Sequence, residues 1–278
     1  AAIDRLPAAA RLVPLKARPS TLMRPPLVLA YHGLGQFSRA MDPHNLMVDP
    51  ARFRAQLGVL RRRGYRLLAL SEFARALDDG PPARATCALT FDDGTVDNLE
   101  VVAPLLAEFE APATFFVCPG LLGEPHFDMP AQAGVRLMNA GELRELASSP
   151  LVEIGSHTMA HTELSSASEA DAHREMADSK AALEELLQQP VHSFAYPKCG
   201  YSPGCPEAAR RAGYAVAVTC ADLGGWRRFE LSRESVDTLD GRIGFALKSR
   251  RLFWPLRRSL PGRLARAAAR PLRHGADG

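Results

Sequence analysis

Two adjacent carboxylates, Asp92 and Asp93, end the run Cys87-Ala88-Leu89-Thr90-Phe91, whose apolar and β-forming composition predicts a buried strand. Charge at the rim of an apolar core carries a large desolvation penalty, so it persists where a cation, a proton or a hydrogen-bond network compensates it. Further on, His157-Thr158-Met159-Ala160-His161 follows a second strand-length run at 151–155. Two histidines four apart on a helical turn face the same way, close enough to share one divalent ion. Added to Asp93, they make the donor set of a catalytic zinc or similar ion with positions left for water. Neighbouring residues at a strand end project in different directions, so Asp92 stays beside the ion without binding it. There it is placed to take a proton from bound water whose pKa has fallen toward neutrality. The chemistry is attack of hydroxide on a carbonyl carbon, which also needs an oxyanion donor and a general acid, often a histidine. The bland reading, an Asp-Asp-Gly turn and two solvated histidines, loses weight because the two features occur together.

Positioning these groups calls for strands that end at one face. Leu27-Val28-Leu29-Ala30-Tyr31 is a continuous apolar run that delivers His32, as a buried parallel strand would. Helical spacing follows at 51–63, stopped by Gly64, then a strand at 65–70 and a helix at 71–77 capped by Ser71. Beyond the strand at 86–91 come a helix at 96–109, a strand at 113–117 and a Pro- and Gly-punctuated loop at 119–138, long enough to be a binding loop. The pattern then gives a capped helix at 139–147, the strand at 151–155, a helix at 168–187, a strand at 193–197, a helix at 206–212 and a strand at 214–219. About seven strand-like runs alternate with helices, the signature of βα repeats and a parallel sheet or barrel.

The 278 residues, 46% of them hydrophobic, suit one large α/β domain or two small ones, with ample material for a well-buried core. Three segments are expected: an irregular proline-rich arm at 1–26, a catalytic domain at 27–245 and a basic, partly amphipathic tail at 246–278. Charge is divided unevenly. Ten basic residues and no acid lie between 241 and 276, so the body is acidic although the net charge is +3. In the tail, Leu252, Phe253, Trp254, Leu256, Leu260 and Leu264 interleave with arginines, which suits either an anionic membrane surface or a solvated cap. An acidic body without a binding motif argues against nucleic acid. No apolar run reaches the roughly 20 residues of a membrane-spanning helix. Five cysteines without metal-ligand spacing favour a reducing compartment, with a Cys199–Cys205 bridge as the alternative. The expected location is cytoplasmic or membrane-peripheral, and exported where a leader precedes Ala1.

Thr90-Phe91-Asp92-Asp93-Gly94, His157-Thr158-Met159-Ala160-His161 and Phe194-Ala195-Tyr196-Pro197, in this order, resemble the successive motifs of the polysaccharide deacetylases, carbohydrate esterases with a NodB-type domain. The resemblance spans residues 27–240 and implies an α/β fold, a distorted (β/α) barrel of about seven parallel strands. It implies metal-dependent removal of N-acetyl groups from glycans containing N-acetylglucosamine. Carried over, Asp92 is the general base, and Asp93, His157 and His161 hold the metal, zinc first with cobalt, nickel or manganese as alternatives. Thr158 is a supporting hydrogen-bonder and the Lys198 backbone N–H an oxyanion donor. Two departures stand out. Ala195 occupies the place of an arginine that orients the base, and Arg233 is the candidate to replace its charge. No histidine lies late in the domain, since only His274 in the tail follows residue 192. His32 then becomes the general acid, as in the subgroup acting on poly-β-1,6-linked N-acetylglucosamine. Tyr196, Tyr201 and Trp226 are expected to stack on sugar. His44, His126, His173 and His192 lack partner spacing, though His126 lies in the long loop within reach of substrate. The alternatives are a deacetylase of peptidoglycan, of chitin-like oligosaccharide or of a small glycoconjugate, and a catalytically weak glycan-binding module.

Overall fold

The computed structural model describes residues 26–78, 85–220, 227–250 and 252. The arm and nearly all of the tail, including Phe253, Trp254, Leu256, Leu260 and Leu264, lie outside the described residues, as does Trp226. In chain order, β1 (Leu27–Tyr31) is followed by a short parallel pair, β2 (Gly33–Leu34) and β3 (Met47–Val48). Then come α1 (Pro50–Arg62), β4 (Arg66–Leu68), α2 (Leu70–Asp78) and β5 (Thr86–Phe91). The next elements are α3 (Ala103–Phe109), β6 (Ala113–Val117), α4 (Ala140–Ala147), β7 (Val152–Ser156) and α5 (Glu169–Leu187). Last are β8 (Ser193–Ala195), α6 (Cys205–Arg211), β9 (Val216–Cys220), β10 (Leu231–Ser235) and α7 (Arg242–Lys248).

All pairings among β1 and β5–β10 are parallel, in the order β1-β10-β9-β8-β7-β6-β5, and β5 returns to β1 in register from Leu27–Cys87 to Tyr31–Phe91. Seven strands therefore close a (β/α) barrel without a free edge. The expected number is met by different members. The run at 65–70 forms β4, which pairs with the first half of β5 outside the ring, and its place in the wall is taken by β10. Apolar runs could not reveal β10, because it carries Ser232, Arg233 and Glu234, all buried.

Side chains alternate across the wall, as strand geometry requires. Leu27, Leu29 and Tyr31 join Cys87, Leu89 and Phe91 and Ala113 and Phe115 in the larger core beneath the helices, with Tyr31, Phe91 and Phe115 stacked at 5.3 and 5.0 Å. The intervening Val28, Ala88 and Phe116 meet Ala195, Val216, Val218 and Leu231 inside the barrel. Phe116 takes so much of that space that a Cβ on Gly155 would lie 2.6 Å from its ring. Helix α2 packs on β5 and β9, on opposite sides of the ring, and so plugs the N-terminal mouth with Leu70, Phe73 and Ala74. It begins one residue before Ser71, which is therefore not its cap. Its free amides find the wall instead: Leu70 N–H donates to Thr114 Oγ1 (2.9 Å) and Ser71 N–H to Glu153 Oε2 (3.0 Å). The helix expected at 96–109 starts with a widened π turn, Asn98–Val102, and α7 brings Phe245 into the core.

Glu153 also accepts from Thr114 Oγ1 at 3.2 Å and from Ser193 Oγ, so one carboxylate joins β6, β7, β8 and the plug at the end of the barrel away from Asp92. Glu153→Ala strands these donors, and urea titration is expected to show a loss of about 2 to 4 kcal/mol in unfolding free energy. A change below about 0.5 kcal/mol, the range of ordinary surface substitutions, contradicts this tie.

Candidate active site

At the C-terminal mouth, His32 after β1, Asp92 and Asp93 after β5, His157 and His161 after β7, Lys198 after β8 and Arg233 of β10 line one cavity of about 90 Å³ with Asp128 and Cys199. In a parallel barrel all strand ends of one polarity share a face, which gathers residues up to 201 positions apart in sequence from His32 to Arg233.

The two carboxylates part at the end of β5. Asp92 continues the strand, its N–H bonding Tyr31 O at 2.9 Å, whereas Asp93 turns left-handed at φ 70° and Gly94 follows at φ 77°. Asp93 Oδ1 consequently lies 3.7 Å from both His157 Nε2 and His161 Nε2. His157 Nδ1 is 2.8 Å from the Ala195 carbonyl, an acceptor only, so Nδ1 carries the proton and Nε2 presents its lone pair. Burial and the neighbouring His157 lower the His161 pKa to about 4, which keeps that ring neutral. Asp93 Oδ1 is buried and has no hydrogen-bond partner. Three acceptors converging without a donor, all within 4.8 Å of one another, fit a divalent cation and are costly without one. The histidines do not sit on a helix. They flank a turn in which Thr158 (φ 66°) and His161 (φ 57°) are left-handed. Thr158 stitches that turn, its hydroxyl donating to His157 O at 2.5 Å and accepting from Thr162 N–H at 2.8 Å.

Asp92 is paired separately. Arg233 Nη1 and Nη2 reach its two oxygens at 2.6 and 2.8 Å, Nη1 also donates to Thr90 Oγ1 at 3.1 Å, and the guanidinium lies 5.5 Å from the Phe116 ring centre. Burial pushes the Asp92 carboxyl up, but Arg233 and His157 pull it further down, so it stays ionised below the usual carboxylate range. Charge missing at Ala195 thus arrives from β10. His32 sits at the rim, with its carbonyl accepting from Asn98 Nδ2 at 3.1 Å and the next turn held by Leu34 N–H to Asp97 Oδ2 at 2.6 Å. The widened turn at the start of α3 is what brings Asn98 inward, a common use of π geometry near sites.

Lys198 lines the cavity with a left-handed backbone (φ 51°), while its ammonium lies 3.8 Å from Glu163 at the surface, so any part it plays inside falls to its backbone. Tyr196 does not line that cavity. It is fully buried, donates to Phe229 O at 3.0 Å and stacks on Tyr201, which itself bonds Glu230 at 2.8 Å away from the cavity. Cys199 pairs with Cys220 across a Cα distance of 5.4 Å, not with the buried free Cys205. This bridge fastens the Lys198 turn to the end of β9 and removes the argument for a reducing compartment. The loop at 119–138 supplies what sequence spacing missed. His126 is buried with Nε2 3.2 Å from Asp93 Oδ2, and Phe127 stacks on both His126 (4.8 Å) and His161 (4.3 Å). Only its place in an overlong loop marked it in the sequence.

Arg233→Met leaves a buried charge unpaired and is expected to cost about 3 to 5 kcal/mol in urea unfolding. Adding Asp92→Asn should recover about 1 kcal/mol or more of it, since contacting partners are not additive. Strictly additive losses contradict the pairing.

The polysaccharide deacetylase family model matches residues 79–217. YxkH of Bacillus subtilis is 28% identical over 193 residues, covering 69% of this chain and 63% of that protein. The poly-β-1,6-N-acetyl-D-glucosamine N-deacetylase of Staphylococcus aureus strain MRSA252 is 26% identical over 169 residues, 58% of this chain and 57% of its own. The chain therefore spans less than two thirds of the length of these relatives. The Streptococcus pyogenes deacetylase PplD, solved with acetate, superposes with a TM-score of 0.68 at 27% identity, over 81% of this chain and 97% of that one. Barrel, motifs and these likenesses agree: the chain belongs to the polysaccharide deacetylase family.

Proposed function

We propose that this chain is a metal-dependent hydrolase that removes N-acetyl groups from glycans containing N-acetylglucosamine, a surface polysaccharide or its precursor. One observation carries the reading: Asp93 Oδ1, an orphaned buried oxygen, faces two imidazole lone pairs beside a second carboxylate that is separately held ionised. Asp93, His157 and His161 would hold the ion, zinc first, which when bound lowers the pKa of water and polarises a carbonyl.

The remaining work falls to the chain. Asp92, fixed by Arg233, accepts the proton of the attacking water. The Lys198 N–H, on its left-handed turn, donates to the developing oxyanion. His32 at the rim, as imidazolium, gives its proton to the amine as the C–N bond breaks; the amino sugar and acetic acid leave, the latter ionising in water, and the proton taken up by Asp92 returns through solvent to His32. The cavity of about 90 Å³ is far smaller than the roughly 300 Å³ at which whole-ligand pockets begin. It admits the acetyl group, and the sugar stays outside. The Asp92–Arg233 pair removes one ground for a weak binding module, and the likeness to the Staphylococcus aureus enzyme favours a β-1,6-linked substrate over peptidoglycan or chitin-like chains.

Acetate release from a panel of acetylated glycans is expected to vanish with chelator and return with zinc. His32→Ala should keep the metal and lower turnover by about 10²- to 10⁴-fold; unchanged turnover removes His32 from the reaction. The basic tail is proposed to hold the protein on anionic membrane. In vesicle flotation the full chain should rise with anionic lipid and a chain cut after Leu252 should not. Cutting within α7 is uninformative, because Lys248 forms a buried pair with Asp240. Equal flotation of both forms contradicts the tail's role.

A further inference from the structure

We propose that His126 is a positioning residue for Asp93, holding Oδ2 so that Oδ1 alone is presented to the ion. The proposal rests on the metal reading above. Its argument begins with the ring's proton. The Asp128 backbone N–H lies 3.1 Å from His126 Nδ1 and can only donate, so Nδ1 is the acceptor and the proton is on Nε2. Nε2–H then donates to Asp93 Oδ2 at 3.2 Å. The same assignment excludes His126 as a fourth ligand, because its Nε2 has no lone pair to offer. Among the described residues the group able to share an ion is Asp93, His157 and His161, without His126.

The ring has little freedom to do otherwise. Its side chain is fully buried, Phe127 stacks on it, and His126 N–H donates to Val135 O at 3.0 Å. The loop is in turn fixed to the Asp93 turn, since Met138 N–H donates to Gly94 O at 2.9 Å and Val96 N–H to Arg136 O at 3.0 Å. Loop and carboxylate therefore move as one piece. With Oδ2 occupied, Asp93 cannot swing to offer both oxygens, and positions stay open for water and a carbonyl. Partners of this kind typically change metal affinity by about 10- to 100-fold.

The test compares zinc affinity, by chelator competition, and the visible spectrum of the cobalt form in the full chain and three variants. Gln places an amide nitrogen near the position of Nε2; Asn places its carbonyl oxygen near Nδ1, where it accepts from the Asp128 N–H and keeps the loop contact without reaching Asp93. His126→Gln should bind zinc within about 3-fold of the parent with a parent-like cobalt spectrum. His126→Asn and His126→Ala should bind about 10- to 100-fold more weakly with an altered spectrum. If Asn equals or exceeds Gln, the residue serves the loop alone and the proposal falls; it falls equally if all variants match the parent. A parent that binds no zinc overturns the metal reading and this inference together.

Discussion

Two neighbouring carboxylates buried at one strand end repel each other and cannot share one compensating charge. Everything around the mouth of the barrel follows from keeping them apart. The left-handed Asp93 turn sends one toward two imidazoles while Asp92 stays in line with its strand. Each then has its own partner: Arg233 for Asp92, and for Asp93 a cation site with His126 behind it. Removing either partner exposes an uncompensated buried charge, at a cost of about 3 to 5 kcal/mol.

The barrel makes that separation possible. Strands β5 and β10 are far apart in sequence but both flank β1, so a guanidinium crosses the interior and lies against Phe116. Small residues opposite, such as Gly155, leave the room. The arginine that the third motif lacks is thus replaced from a different strand, and Ala195 contributes its carbonyl to His157 instead. On the proposed reading the base and the metal ligands are tuned independently, because their supports come from different elements.

Much of this was legible in the residues. Continuous apolar runs mark β1, β5 and β6 because both faces of those strands are buried, and Asn139 and Ser168 mark helix starts through side chains that accept from their own first turns. Motif spacing brings Asp93, His157 and His161 into one set. What escaped did so for physical reasons. Strand β10 carries its function on buried polar side chains, so hydrophobic patterning passes over it. The histidine turn mimics helical spacing while using left-handed residues. The Cys199–Cys220 bridge and the His126 contact join segments whose proximity exists only in the closed barrel.

The division of labour between the two carboxylates is the centre of this account, and metal content measures it directly. Elemental analysis of purified Asp92→Asn and Asp93→Asn, each reconstituted with zinc, should find about one ion per chain in the first and almost none in the second, as expected if the three-donor set uses Asp93 alone. Loss of metal from Asp92→Asn to the same degree would contradict it.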